Sequence, residues 1–272
     1  MKITFTNTAY VHTRERLVLN KGRWNKRLAL QVRVGIIEHP DGVVLIDAGY
    51  SPEAISAPGR SPMLRAYSWA FSPELLPDGD PIEALSQMGY TADDVKAIIL
   101  THFHVDHISA LARFPNARLI ACQQTFENVR TRSIWANIHR GIFPEFLPND
   151  MTVRLENVFD KPQVNGPLGL GLVYDIFEDN RILAIRLPGH AEGHFGLCFP
   201  QLERPMLYAA DVQWVTAALT RGPIGYPGRL VAEDPHAQRE STAKVAGFAR
   251  AGGDVLLCHT PEMTAYDRKP NT

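Results

Sequence analysis

Residues 94–109 read DVKAIILTHFHVDHIS. The apolar, β-branched run from Val95 to Leu100 predicts a buried strand. It ends in Thr101-His102-Phe103-His104-Val105-Asp106-His107, which sets three imidazoles and one carboxylate within six residues where that strand delivers its C-terminal end. One histidine at a strand end is usually a satisfied polar residue. Four such side chains lose hydration together on burial and need a compensating partner, and a divalent cation supplies it.

Working outward, the same logic recurs. The apolar segments 30–38 and 43–46 flank His39-Pro40-Asp41-Gly42, a turn with Pro and Asp-Gly chemistry, and the second runs into Asp47-Ala48-Gly49. Further on, 182–187 is an expected strand leading to Pro188-Gly189-His190-Ala191-Glu192-Gly193-His194. Segment 206–209 leads to Asp211, and 255–258 to His259. Each of His190, Asp211 and His259 alone is weak evidence. Their order and context carry the weight.

The H-x-H-x-D-H pattern after a hydrophobic strand, followed by PGH-x-x-GH, an Asp after an apolar strand and a final strand-end His, resembles the metallo-β-lactamase superfamily. The resemblance spans residues 36–259. It implies an α+β fold, an αββα sandwich of two packed mixed sheets covered by helices on both outer faces. Strand-rich halves with intervening helices are consistent with that architecture. No linker composition separates the halves, so residues 1–272 are expected to be one domain with a lid or interface insertion at 51–81.

Seven N and O ligands exceed one tetrahedral zinc but suit two ions sharing a carboxylate. By resemblance, His102, His104 and His190 hold one ion, Asp106, His107 and His259 hold the second, and Asp211 bridges them. The resemblance also makes Asp47 a residue that orients a ligand, with His194 a neighbouring histidine outside the ligand set. Imidazole and carboxylate suit zinc and tolerate iron, cobalt or manganese. Among relatives, an all-histidine first motif implies hydrolysis. Water activated between the ions would attack a carbonyl or phosphoryl centre, with Asp106 moving a proton to the departing oxygen and Asp211 fixing the intermetal distance.

Within that superfamily the chain is most similar to the quorum-quenching lactonases that open N-acyl homoserine lactones. Those enzymes carry a Tyr three residues after the bridging Asp. Here that position is Trp214, an N–H donor that cannot act as an acid. Tyr10, Tyr67, Tyr208 and Tyr226 are alternative phenols. Phe143 and Phe146, in the apolar loop after the helical segment 123–139, are expected with Tyr67 and Trp214 to contact the apolar part of a small-molecule substrate. Other carboxylic esters, thioesters and organophosphates remain alternatives on the same ligands. A non-catalytic metal-binding protein is disfavoured, because no ligand is missing.

Composition sets the remaining bounds. A hydrophobic share of 45%, a charged share of 21% and a net charge of −1 describe an ordinary globular chain and give no support to nucleic-acid binding. No stretch is long and apolar enough for a membrane span, and residues 1–16 lack the apolar centre of a secretory leader. Cys122, Cys198 and Cys258 each lie in apolar surroundings and read as buried free thiols, with Cys258 expected to point away from its neighbour His259 if both lie on a strand. A cytoplasmic protein is expected. The insertion carries Met63, Leu64, Tyr67, Trp69, Phe71, Leu75 and Leu76, which need a cover, so a homodimer is expected too.

Overall fold

The apolar run ahead of the histidine cluster is a strand, Val95–Ile99, inside a seven-stranded sheet. The structure is a computed structural model and describes residues 1–56, 60–222 and 232–269. They divide into two compact units, one of Met1–His12, Ala29–Glu156 and Glu262–Thr272, the other of Thr13–Leu28 and Asn157–Pro261.

In the first sheet the strands are β1 (Lys2–Arg14), β2 (Arg27–His39), β3 (Gly42–Ile46), β4 (Glu74–Leu75), β5 (Val95–Ile99), β6 (Arg118–Ala121) and β7 (Leu155–Asn157). Their spatial order is β4-β1-β2-β3-β5-β6-β7. β2 and β3 are antiparallel, whereas β3, β5 and β6 run parallel, so the sheet is mixed. Parallel strands are covered on both faces and read as continuous apolar runs, and Val95, Ala97, Ile98 and Ile99 are all fully buried. Each such Val or Ile contributes about 1.5–3 kcal/mol through burial.

A buried ion pair sits in that interior. Arg33 on β2 is fully buried, and its Nε and Nη2 donate to Asp267 Oδ1 and Oδ2 at 2.7 and 3.0 Å. Nη2 also donates to the Glu262 carbonyl at 2.8 Å. The segment after residue 261 is thereby fastened to the sheet.

The second unit holds β8 (Gln163–Gly166), β9 (Gly171–Asp175), β10 (Leu183–Arg186), β11 (Phe195–Phe199), β12 (Met206–Tyr208) and β13 (Asp254–Leu256), ordered β13-β12-β11-β10-β9-β8. Neighbours are antiparallel except β12 and β13, which makes this sheet mixed as well. The helix Pro235–Arg250 starts at Asp234, whose carboxylate accepts from the His236 and Ala237 N–H groups. Val245 and Phe248 from this helix join a core with Leu183, Ile185, Leu207 and Leu257.

Several local expectations change. The histidine cluster runs into a short helix, Val105–Ile108, followed by a separate 3-10 turn at Leu111–Arg113. At the end of that helix Ser109 Oγ donates to the Gly49 carbonyl at 2.9 Å and accepts the Ser51 N–H at 2.8 Å. Segment 123–139 is two helices, Gln123–Thr131 and Ile134–Ile138, divided where Ser133 caps the second through the Ala136 N–H. The β8–β9 hairpin and the helix Pro235–Arg250 carry too few apolar positions in register to stand out in the sequence. Tyr226 lies outside the described residues. No helix among the described residues is long and apolar enough to cross a membrane.

Candidate metal centre

In the first unit the ligand-bearing segment runs from the end of β5 into the helix Val105–Ile108, and Asp47, just past β3, supports it from beneath. Asp47 is fully buried. One carboxylate oxygen accepts the Thr101 N–H at 2.8 Å, and the other accepts the Thr101 hydroxyl at 2.9 Å and lies 2.8 Å from His107 Nδ1. Burial pushes this carboxyl above the usual range, while His107 and the Thr101 bonds pull it back toward the ionised form. Asp47 holds a left-handed backbone, φ 59°, which a strand-to-loop junction imposes here and which Asp tolerates better than most residues.

These bonds fix which nitrogens are presented. With its Nδ1–H given to Asp47, His107 offers a bare Nε2. The single Thr101 hydroxyl proton goes to Asp47, so its oxygen accepts from His102 Nδ1 at 3.0 Å and leaves His102 Nε2 bare. That atom lies 3.0 Å from His104 Nδ1. Two nitrogens on one tetrahedral zinc stand about 3.3 Å apart, given Zn–N bonds of about 2.0–2.1 Å. The pair is close to the spacing an ion needs. Asp106 Oδ2 lies 3.6 Å from His107 Nε2, and its side chain keeps 16% of its surface exposed. His102 and His107 are buried and His104 is half-buried.

In the second unit Asp211 is the centre. Its Oδ2 lies 2.8 Å from His259 Nε2 and 3.4 Å from His190 Nε2. Its backbone N–H donates to His194 Nε2 at 3.1 Å, and His194 Nδ1 donates to the Leu187 carbonyl at 2.7 Å. Both nitrogens of His194 are therefore engaged with backbone, which makes it a neutral brace beneath Asp211. Ala210, the residue before, is left-handed at φ 44°, a strained position for alanine costing about 1–3 kcal/mol.

The glycine of Pro188-Gly189-His190 also has a physical reason. A Cβ at Gly189 would stand 2.1 Å from Gln238 N, and φ is +122°. The helix Pro235–Arg250 lies on that turn: Ser241 Oγ donates to the Pro188 carbonyl at 2.7 Å, and the Asp234 N–H to the Gly189 carbonyl at 2.9 Å.

Cys258 departs from expectation. β13 ends at Leu256, so strand alternation does not govern residues 258 and 259. The donor atoms of Asp211, Cys258 and His259 lie within 4.8 Å of one another, and the thiol does not turn away. Thr101 and Tyr50 were absent from the expected set. Tyr50, three residues after Asp47, is buried, and burial foremost, with the Asp106 charge adding to it, keeps its phenol protonated. No residue pattern marks Thr101, whose role lies in the direction of its hydrogen bonds.

Of the remaining site expectations, Trp214 meets His190 edge-on, with ring centroids 6.2 Å apart. Tyr67, on the helix Pro62–Phe71, contacts Phe143 edge-on at 5.2 Å. Phe143 and Phe146 are buried in the first unit's core, at 1% and 3% exposure. Tyr208 is fully buried on β12, and Tyr10 pairs with Glu74 at the sheet edge.

Imidazoles and a carboxylate converge within each unit, a donor chemistry that fits divalent metal ions. A family model described as "Metallo-beta-lactamase superfamily" matches residues 27–121, which contain Asp47 and the whole His102–His107 segment. That segment is thus similar to a metallo-β-lactamase superfamily domain. The chain is 28% identical to N-acyl homoserine lactonase AttM of Rhizobium johnstonii, over 86% of its own length and 83% of the relative's. It is 29% identical to a protein named "Probable metallo-hydrolase" from Mycobacterium tuberculosis, over 90% and 80%. Among solved structures, its fold is like that of an N-acyl homoserine lactone hydrolase with N-hexanoyl-L-homoserine at the catalytic metal center, with a TM-score of 0.70, 19% identity and coverage of 95% and 93%. It is also like AidC, a dizinc quorum-quenching lactonase, with a TM-score of 0.66, 18% identity and coverage of 95% and 87%. The metallo-β-lactamase fold is thus shared across nearly the whole chain.

Proposed function

We propose that this protein is a dinuclear metal-dependent hydrolase that opens a lactone ring, with N-acyl homoserine lactones as the substrate class. The observation that carries the reading is the complete ligand series, His102, His104, Asp106, His107, His190, Asp211 and His259, in a chain whose curated relatives include N-acyl homoserine lactonases. In this reading His102, His104 and His190 hold one ion, Asp106, His107 and His259 the other, and Asp211 is shared. Zinc is the first choice by donor type, with iron, cobalt or manganese compatible. The bound ions would acidify a water and polarise the carbonyl under attack.

The chain's own residues do the rest. Asp47 and Thr101 hold His102 and His107 in one tautomer. His194 steadies Asp211. Asp106, the most solvent-accessible carboxylate of the set, passes a proton to the alkoxide released when the ring opens. Trp214 is assigned an N–H donor role toward the substrate. Tyr67, Phe143 and Phe146 form the apolar wall beside the acyl chain, with the two buried phenylalanines acting as its backing. The chain works as one domain in the cytoplasm, with residues 51–81 as lid or interface. The exposed Trp69, 83% accessible, supports a homodimer.

Purified protein loaded with zinc is assayed on short- and long-chain acyl homoserine lactones, simple δ-lactones, an aryl ester and paraoxon, against chelated and His104→Ala controls. Lactone opening that requires metal and favours certain chain lengths is expected. Turnover of the ester or paraoxon with none of the lactones would overturn the substrate assignment. Trp214 in place of the relatives' tyrosine favours that second reading, an ester or organophosphate hydrolase on the same ligands.

A further inference from the structure

The backbone of Gly141 lies against the ring of His104. A Cβ added to Gly141 would stand 3.3 Å from His104 Cδ2 and 3.6 Å from Nε2. The position is left-handed, φ +70°, because it ends the helix Ile134–Ile138: Ile142 N–H reaches back to the Asn137 carbonyl at 3.0 Å and Gly141 N–H to the Ile138 carbonyl at 2.9 Å. A helix stop of this kind favours glycine by itself. Its contacts go further. The Gly141 carbonyl accepts the N–H of Val105 at 3.2 Å, the first residue of the helix that carries Asp106 and His107. The turn therefore grips the ligand segment twice, at the ring of one residue and at the amide of the next.

The ring edge covered by Gly141 is the Cδ2–Nε2 edge. The other nitrogen, Nδ1, is the one 3.0 Å from His102 Nε2. We infer that Gly141 is a positioning residue for His104, its bare backbone seating the imidazole with Nδ1 directed to the ion that His102 also binds. This rests on the two-ion reading above. A methyl at 141 displaces the ring by a few tenths of an ångström. An isopropyl displaces it more, and metal sites tolerate only about 0.2–0.5 Å in donor placement. Asp47 and Thr101 secure His102 and His107 independently, so the disturbance falls on one ion.

Gly89 is a built-in control. It too is left-handed, φ +84°, and a Cβ there would meet nothing within 4 Å. Gly89→Ala carries the backbone strain of Gly141→Ala without the contact. The experiment measures zinc per chain after dialysis, zinc affinity by competition with a chelator, and the thermal midpoint of the metal-free protein, for wild type, Gly141→Ala, Gly141→Val, Gly89→Ala and His104→Ala. The expected result is two ions for wild type and Gly89→Ala. Gly141→Ala weakens one of them about tenfold, and Gly141→Val reproduces the one-ion stoichiometry of His104→Ala. Gly141→Ala and Gly89→Ala lower the metal-free midpoint alike. Wild-type affinity for both ions in Gly141→Ala and Gly141→Val overturns the inference while leaving the two-ion reading intact. So does an equal loss of affinity in Gly89→Ala, which makes the effect one of backbone strain alone. Fewer than two ions in wild type overturns both.

Discussion

Asp47 Oδ2 and His107 Nδ1 lie 2.8 Å apart, and both side chains are wholly shielded from solvent. The bond ties the end of β3 to the helix after β5. It also decides that His107 presents Nε2. Replacing Asp47 with alanine removes that choice and leaves the Thr101 hydroxyl without its acceptor. Zinc affinity is expected to fall about 10–100-fold, the usual cost of losing a partner behind a ligand. Chelator competition on Asp47→Ala checks this, and unchanged affinity would remove the orienting role.

Gly189 meets the helix Pro235–Arg250 with no room for a side chain. Gly189→Ala should lower stability by about 1–3 kcal/mol or more through forced separation of turn and helix. A urea titration measures it. A loss of only a few tenths would mean that the helix slides freely on the turn.

Arg33 and Asp267 form a fully buried pair. Asp267→Ala leaves a guanidinium stranded in the sheet and should cost about 3–5 kcal/mol, while Arg33→Met with Asp267→Leu should recover most of that loss. If the double variant is as unstable as the single one, the tail's backbone bonds, and not the charges, fasten it.

Acid stability turns on carboxylates held below their usual range. Glu15 is one: the Lys26 ammonium donates to it at 2.7 Å and the Arg23 N–H at 3.0 Å, and both hold its pKa below 4.5 in the folded chain. A depressed folded-state pKa means that the unfolded chain takes up protons first as pH falls. The stabilisation is present above about pH 4.5 and disappears as pH drops through the lower folded value. Asp94 and Asp234 act in the same direction through backbone N–H bonds. The urea midpoint should decline between about pH 5 and 3, less steeply in Glu15→Gln. Parallel declines would exclude Glu15 as a contributor.

The sequence was legible where chemistry and periodicity coincide. Val95–Ile99 announces a strand by composition, and the histidines after it announce metal by density. Asp47 was legible as an orienting residue by resemblance. Thr101 was not, because its role is a hydrogen-bond direction and not a residue pattern. Gly141 and Gly189 read as ordinary turn residues until the bodies packed against them are known. The orientation of Cys258 was not legible, because β13 ends at Leu256 and strand alternation does not reach residues 258 and 259. The helix Pro235–Arg250 stayed hidden because its polar face outweighs the few positions it buries.

The bond between Arg33 and Asp267 joins positions 234 residues apart. A ribosome has nearly finished the described chain before that carboxylate emerges, so a nascent first sheet cannot close over the guanidinium until then. Phe5, whose amide donates to the Tyr266 carbonyl and whose own carbonyl accepts from Arg268, waits for the same late arrival. Synthesis order therefore constrains assembly: β1 and β2 are made well before the segment that locks them, and in the interval their unsatisfied groups are open to mispairing.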